Sequence, residues 1–371
     1  MTLALAFLPV LAWLYLVFGR GWFWLTRERD DGAEPEPQAW PSVVAVVPAR
    51  NEADVVARSV SSLLAQDYRG SFRVVLVDDQ SDDGTAEAAP SDSRLEIVAG
   101  SARAPGWTGK LWAVKQGAER AAGADYLWLT DADIAHAPNN LRNLVARAET
   151  GGLVLTSLMA KLHCESFAER LLIPAFVFFF DMLYPFAWVN DPRRTAAAAA
   201  GGCMLIRREA LERAGGIDAI HGEIIDDCAM GRLMKRQGPI WLGLTERCVS
   251  LRPYSFGDIA RMVARSAYAQ LSYSPLRLAA TVAGMLLVYA AAPLLAVFAR
   301  GPAQAAGAAA WALMAAAFAP MLRFYRLAPL WGAAMPFIGA LYGAFTLASA
   351  LEHWRGRGGM WKGRAQAMGR A

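Results

Sequence analysis

"SVVAVVPARNEADVVARSVSSLLAQDYRGSFRVVLVDD", residues 42–79, is the stretch whose reading decides the fold. Residues 43–47, VVAVV, form an almost wholly β-branched run with no polar break, the pattern of a strand buried on both faces. Pro48 is expected to end it. From Glu52 onward, Val55, Val56, Val60, Leu63 and Leu64 recur at helical spacing, and Gly70 closes the unit. A second apolar run, FRVVLVDD, follows at once. Strand, helix and strand joined this closely predict a parallel crossover.

The alternation continues downstream. QSDDGT is a turn with an N-cap for a short helix, RLEIVAG a third strand, TGKLWAVKQGAERAAG a helix and DYLWLTDAD a fourth strand. The reading is an α/β fold, a mainly parallel sheet with helices on both faces. Ligands in such sheets bind beyond the carboxyl ends of the strands. Polar residues collect there: Arg50, Asn51 and Glu52 after the first strand, Asp78 and Asp79 after the second, Asp131 and Asp133 after the fourth. No G-x-G-x-x-G follows the first strand and no P-loop lysine motif occurs, which argues against a dinucleotide oxidoreductase or an NTPase.

Two carboxylates one residue apart, after the apolar YLWL, need compensation for the charge they bring beside a strand. In extended chain, residues i and i+2 point to one side, so Asp131 and Asp133 can address one ion together. Hard carboxylate oxygens suit Mg²⁺ or Mn²⁺, ions that commonly complete their shell with substrate phosphates. Further on, EIIDDCAMGRLMKRQG (residues 223–238) predicts a helix: Met230, Leu233 and Met234 keep i, i+3, i+4 spacing and Gly238 stops it. Asp226 and Asp227 then stand at its N-terminus. One caps it and the other is spare.

The ends of the chain are apolar. Residues 3–25 read as an uncleaved N-terminal membrane helix, with no basic region ahead and no small-residue cleavage site behind. Trp22 and Trp24 beside Arg20 and Arg27 resemble an interfacial anchor. Residues 278–299, 303–322 and 329–350 are three further candidate spans, separated by RGPAQ and RFYRLAP. A cytoplasmic central domain puts RFYR inside as well. Three full crossings then leave the basic tail outside, against the positive-inside rule, unless one segment is re-entrant or interfacial. Residues 171–189, LLIPAFVFFFDMLYPFAWV, read either as core or as a helix pair lying in the bilayer interface, and the interface is favoured. The four cysteines, Cys164, Cys203, Cys228 and Cys248, are widely spaced and read as single buried thiols, with no zinc or disulfide framework. The net charge of +4 is mild, and no arginine–aromatic interleave suggests nucleic acid. His136 reads as a solvated loop side chain, and His221 precedes GEIIDD; neither is taken as a ligand.

VVPARNE, VVLVDDQSDDGT, TDAD and GEIIDDCAMGRLMKRQG, in this order and flanked by apolar segments, resemble the family-2 glycosyltransferases with the GT-A fold. The layout with GWTGKLWA, GGCMLIRREAL and the tail GGMWKGR is most similar to the hopene-associated bacterial membrane glycosyltransferases. The resemblance implies transfer of a sugar from a nucleotide-sugar, UDP-linked by expectation, with inversion at the anomeric carbon and with Mg²⁺ or Mn²⁺. By motif it assigns Pro48, Arg50, Glu52, Asp78, Asp79, Lys110 and Asp131 to the nucleotide-sugar. The metal falls to Asp133 and Asp131, and the acceptor side to Gly201 and Gly202. Asp227 would be the base, with Asp226 beside it. The Q-x-x-R-W motif of many members is replaced by RMVARSAYAQLSY, where Arg261 and Arg265 are the candidate phosphate contacts and tryptophan is missing.

The implied organisation is an N-terminal membrane helix (1–26), a linker (27–40), a catalytic domain (41–275, with 171–189 interfacial), C-terminal membrane segments (276–352) and a basic tail (353–371). The expected setting is the bacterial inner membrane, multi-pass, with the catalytic domain facing the cytoplasm. The expected partners are a nucleotide-sugar donor, a lipid acceptor and the membrane, with no nucleic acid. The competing reading is a non-catalytic membrane scaffold or lipid-transfer protein on a degenerate transferase fold.

Overall fold

The computed structural model describes residues 3–356, 360–361 and 364–365. Most of the basic tail therefore lies outside the described residues. The chain divides into two compact units.

One unit holds Glu28–His163 and Trp188–Pro253. Eight of its strands are β1 (Val43–Ala49), β2 (Phe72–Asp78), β3 (Leu95–Ala99), β4 (Tyr126–Leu129), β5 (Ile134–His136), β6 (Leu155–Lys161), β7 (Met204–Arg207) and β8 (Ile240–Ser250). They form one sheet in the order β3-β2-β1-β4-β7-β6-β8-β5. The half read from the sequence, β3-β2-β1-β4, is parallel throughout. The other half is mixed: β7 runs antiparallel to β4 and β6, β8 parallel to β6, and β5 antiparallel to β8. The helices Val56–Leu64, Gly109–Arg120, Asn140–Gly151 and Asp226–Lys235 belong to this unit.

Every residue of β1 is buried, as the apolar run requires. Pro48 lies inside the strand rather than ending it, opposite Val77 of β2. β4 has already stopped at Leu129, opposite Val46, so one flank of β1 needs no ladder donor there, the usual condition for a strand proline. The linker residues are tied down as well. Asp30 N–H donates to the Leu244 carbonyl at 2.8 Å and Leu244 N–H to the Glu28 carbonyl at 2.8 Å. The Asp30 carboxylate is buried between Arg247 at 2.8 Å and Arg147 at 3.5 Å.

The other unit is helical and gathers Met1–Arg27, Cys164–Ala187 and Tyr254–Gly358. Three of its helices are long and apolar enough to cross a membrane: Pro275–Phe298, Pro302–Phe324 and Pro329–Trp354, with mean hydropathy 2.1, 1.6 and 1.5. The first exposes Leu276, Leu286, Leu294, Val297 and Phe298, a surface that water does not suit. The N-terminal helix is shorter than the sequence predicts. Its apolar helix runs only over Ala4–Gly19, about 24 Å at 1.5 Å per residue and below the hydrocarbon thickness. Gly21 and Trp22, both at positive φ, end it before the second half of the apolar run can join. Trp13 anchors it, fully buried with its indole N–H on the Val288 carbonyl at 2.9 Å. The helix Phe167–Leu183 is capped by a reciprocal Ser166–Glu169 box. Much of the density expected at a headgroup level is packed inside this unit, with Leu172, Ile173, Ala175, Val177 and Phe178 fully buried.

Candidate active site

The loops after β1 and β2 both turn through left-handed residues, Asn51 at φ 52° and Gln80 at φ 56°. Arg50 ties them together, its guanidinium donating to the carbonyls of Asp79 and, at 2.9 Å, Gln80. The Arg50 Nε is buried and has no hydrogen-bond partner among the described residues. Asp79 is 1% exposed, with its N–H on the Ala49 carbonyl at 2.8 Å. Asp78 is used locally: its carboxylate accepts from the Ser81 N–H at 3.1 Å and from the Ser81 hydroxyl. Glu52 is buried, its N–H on the Thr85 hydroxyl at 2.9 Å and its carboxylate paired with Arg252.

The acid pair is not in extended chain. β4 stops at Leu129, and the segment from Asp131 to Asp133 is a turn closed by the Ile134 N–H on the Asp131 carbonyl at 3.3 Å. The physical reason is topological, since the chain must leave β4 near the middle of the sheet and reach β5 at its far edge. Each acid meets a cation of the chain. Lys110 Nζ lies 2.8 Å from Asp131 Oδ1, and Arg252 Nε lies 4.0 Å from Asp133 Oδ2 while its Nη2 engages both Glu52 and, at 3.2 Å, Asp54. Two partly exposed carboxylates offering hard oxygens, with cations already drawn to both, are a donor set suited to Mg²⁺ or Mn²⁺. Arg252 was not singled out from the sequence. Its signal was its place in LRPYS just beyond β8, another polar residue at a strand end.

Lys110 enters from the first turn of Gly109–Arg120, a helix whose N-cap Thr108 accepts from the Leu111 N–H. It also reaches Asp226 at 3.1 Å. Burial works against its charge, but Asp131, Asp226 and Asp227 outweigh that and lift its pKa above the usual lysine range. Asp226 and Asp227 open the helix Asp226–Lys235. The Asp227 carboxylate accepts from the Gly201 N–H at 3.2 Å and from the Cys228 N–H at 2.7 Å. Burial, reinforced by the Asp226 charge and opposed by Lys110, raises the Asp227 pKa to about 6.

Gly201 and Gly202 are closely surrounded, so that an added side chain would press on its neighbours. A Cβ on Gly201 would stand 3.1 Å from Lys110 Nζ, and one on Gly202 would stand 3.1 Å from the Ala160 Cβ. Pro48, Lys110, Asp131, Gly201, Met204, Ile220 and Asp226 line one pocket. The structure thus brings together Pro48, Lys110, Asp131, Gly201, Asp226 and Asp227, with Asp133 and Glu52 joined through Arg252. Arg261 and Arg265 belong to the helical unit, on the helix Phe256–Gln270, where Arg261 pairs with Asp258 at 2.6 Å.

His136 is not a solvated loop residue. It is the last residue of β5, opposite Cys248 of β8, and is 5% exposed with its ring 4.6 Å from Trp128. This pairing gathers His136, Cys203 and Cys248, whose side-chain ligand atoms lie within 4.8 Å of one another. These thiols are therefore buried, as the sequence predicts, but not single. Thr130 and Asn140 engage the two ring nitrogens of His136, and the Trp128 indole N–H engages the Cys203 sulfur at 3.3 Å, so the group is a bonded core cluster.

Residues 44–215 match the family model described as Glycosyl transferase family 2. An N-acetylglucosaminyltransferase of Mesorhizobium japonicum is 29% identical over 194 residues, 48% of this chain and 42% of the relative. An N-acetylglucosaminyltransferase of Neorhizobium galegae is 30% identical over 202 residues, 49% and 43% of the two chains. The chain therefore spans less than half the length of the curated relatives it matches. Among solved structures, the mannosyltransferase PcManGT from Pyrobaculum calidifontis, in complex with GDP-Man and Mn²⁺, is similar with a TM-score of 0.56, covering 95% of this chain and 99% of that one at 21% identity. That likeness is one of fold. Residues 44–215 carry a glycosyltransferase family 2 domain on a GT-A-like sheet.

Proposed function

We propose that this chain is a membrane-bound, inverting glycosyltransferase that moves a sugar from a nucleotide-sugar, UDP-linked, to a lipid acceptor. The observation that carries the reading is the convergence of Lys110 on Asp131 and Asp226, with Asp227 alongside, beyond the carboxyl ends of parallel strands. In this reading the nucleotide lies over the loops of Pro48, Arg50, Glu52, Asp78 and Asp79. The unpartnered Nε of Arg50 is a donor suited to it.

Asp227 acts as the base. It takes the proton of the acceptor hydroxyl as that oxygen bonds to the anomeric carbon and the bond from that carbon to the diphosphate breaks. A pKa of about 6 leaves it mostly ionised at neutral pH yet still basic enough to accept a proton. Lys110 faces the negative charge that grows on the departing diphosphate. A Mg²⁺ or Mn²⁺ ion held by Asp131 and Asp133 would supply Lewis-acid neutralisation of that same charge. The three apolar helices support a membrane setting and hence a lipid acceptor. Arg261 and Arg265, on the helical unit, are proposed contacts for its headgroup.

The names of the two relatives make UDP-N-acetylglucosamine the first donor to test, beside UDP-glucose, UDP-galactose and UDP-glucuronate. The hopene-associated resemblance puts polycyclic isoprenoid lipids among the acceptors. Purified protein in bacterial lipid should release UDP with Mn²⁺ but not with EDTA, and the label should move to lipid. Silence with every donor, together with no UDP binding, would overturn the reading in favour of a scaffold.

A further inference from the structure

Beneath the Gly201–Gly202 turn runs a chain of hydrogen bonds between buried side chains. The Thr130 hydroxyl donates to the Gly202 carbonyl at 2.8 Å, and its oxygen lies 2.9 Å from His136 Nε2. A hydroxyl has one proton. With that proton directed at Gly202, the Thr130 oxygen can only accept, so His136 must carry its own proton on Nε2. Asn140 fits the same tautomer, its amide Nδ2 lying 3.0 Å from His136 Nδ1 and donating to it. Thr130 is 1% exposed, His136 5% and Asn140 0%, and burial keeps His136 neutral, its pKa pushed down to about 3. The turn is held from its other side too, the Ala200 N–H donating to the Ser157 hydroxyl at 2.8 Å. Between these two anchors stands the Gly201 N–H that holds Asp227 Oδ2 at 3.2 Å.

We infer that His136 and Thr130 are positioning residues for Asp227: they fix the peptide of Gly202, and through it the Gly201 N–H that holds the Asp227 carboxylate. The inference rests on the reading of Asp227 as the base. Neither side chain touches a reacting atom in this account. They act as the fixed support without which a catalytic group drifts from its working place.

Two pairs of variants test it. Thr130→Val keeps the shape and deletes the hydroxyl, whereas Thr130→Ser keeps the hydroxyl. His136→Gln can place an amide N–H near the Nε2 position, whereas His136→Asn reaches only the Nδ1 position. Thr130→Val and His136→Asn should lower kcat roughly 100-fold while leaving the donor KM within about twofold, because displacing a catalytic group by about 1 Å costs that much. Thr130→Ser and His136→Gln should recover most of kcat. Hydrogen exchange of the peptide 198–205, followed by mass spectrometry in the same samples, should quicken in the first pair and not in the second. Exchange over 43–49 should stay as in the parent in all four. That measurement needs no turnover, so it separates the two readings. A silent parent protein whose 198–205 exchange follows the pattern would sink the sugar-transfer reading, the anchored turn standing without it. Unchanged exchange in Thr130→Val and His136→Asn, or equal losses in Gln and Asn variants, would overturn the inference itself.

Discussion

Gly201 and Lys110 meet with no room for a side chain between them: a Cβ on Gly201 would lie 3.1 Å from the Lys110 ammonium and 3.7 Å from Asp227 Oδ2. The lysine end is flexible and will yield, so Gly201→Ala should fold. The cost falls on the contacts of Lys110 with Asp131 and Asp226. Transfer should drop roughly 10-fold or more, since small displacements in a site are expensive, with the melting temperature close to the parent value. Unchanged transfer would mean that Lys110 does not need this geometry.

The two neighbouring acids should separate by phenotype. Asp227→Asn should keep UDP and Mn²⁺ binding but lose transfer by about 10²- to 10⁴-fold, the usual worth of a general base. Asp226→Asn removes a partner of Lys110 instead, and its main effect should be on donor affinity, read by calorimetry. If Asp226→Asn were the inactive one with binding intact, the roles would be exchanged.

The pKa of Asp227 gives two opposite pH dependences. Transfer should rise with pH through about 6 as the carboxylate ionises. Stability should run the other way. The folded pKa is raised above the ordinary aspartate value of about 3.9, so this group's contribution is fully present below that value and is lost as pH rises through about 6. Asp227→Asn should therefore melt higher than the parent at pH 7.5, with the gap closing towards pH 4. A variant that melts lower at both pH values would contradict the burial cost assigned to this carboxylate.

Arg252 neutralises Glu52 and faces Asp133. Its replacement by Met removes a positive charge beside the acid turn, so Mn²⁺ should bind more tightly, by about tenfold or more at the effective dielectric of a partly exposed site. The same change leaves the buried Glu52 without this partner, and stability should fall by about 1–3 kcal/mol. Manganese titration by electron paramagnetic resonance and a urea melt read the two effects separately. Weaker Mn²⁺ binding would show that Arg252 organises the acids rather than competing for them.

The parallel half of the sheet was legible because each strand there is a continuous apolar run followed by a helix with its own periodicity. Asp78, Asp79, Asp131 and Asp133 stood out as candidates because they follow apolar strand runs, and Asp226 and Asp227 because they open a helix. The conformation of Asp131–Asp133 was not, since it depends on β5 crossing to the far edge of the sheet, a pairing that no local pattern encodes. His136 was misread for the same reason: a polar residue in a turn-rich stretch becomes core only when β8 lies against it. The length of the N-terminal helix was overread because hydropathy continues through Gly21 and Trp22 while the backbone does not.

The late partner of β5 bears on how the protein is made. Ile134 pairs with Ser250 and His136 with Cys248, and the Asp133 carbonyl is held by the Leu251 N–H at 2.8 Å. The acid turn thus waits on residues synthesised well over a hundred positions later, a long loop that must close before its contacts reward it. A nascent chain with only its parallel half exposed carries most of the residues proposed to meet the donor, beside an acid turn that is unfinished. The acid turn can be completed only once the strand ending at Ser250, with Leu251 and Arg252 behind it, has been made.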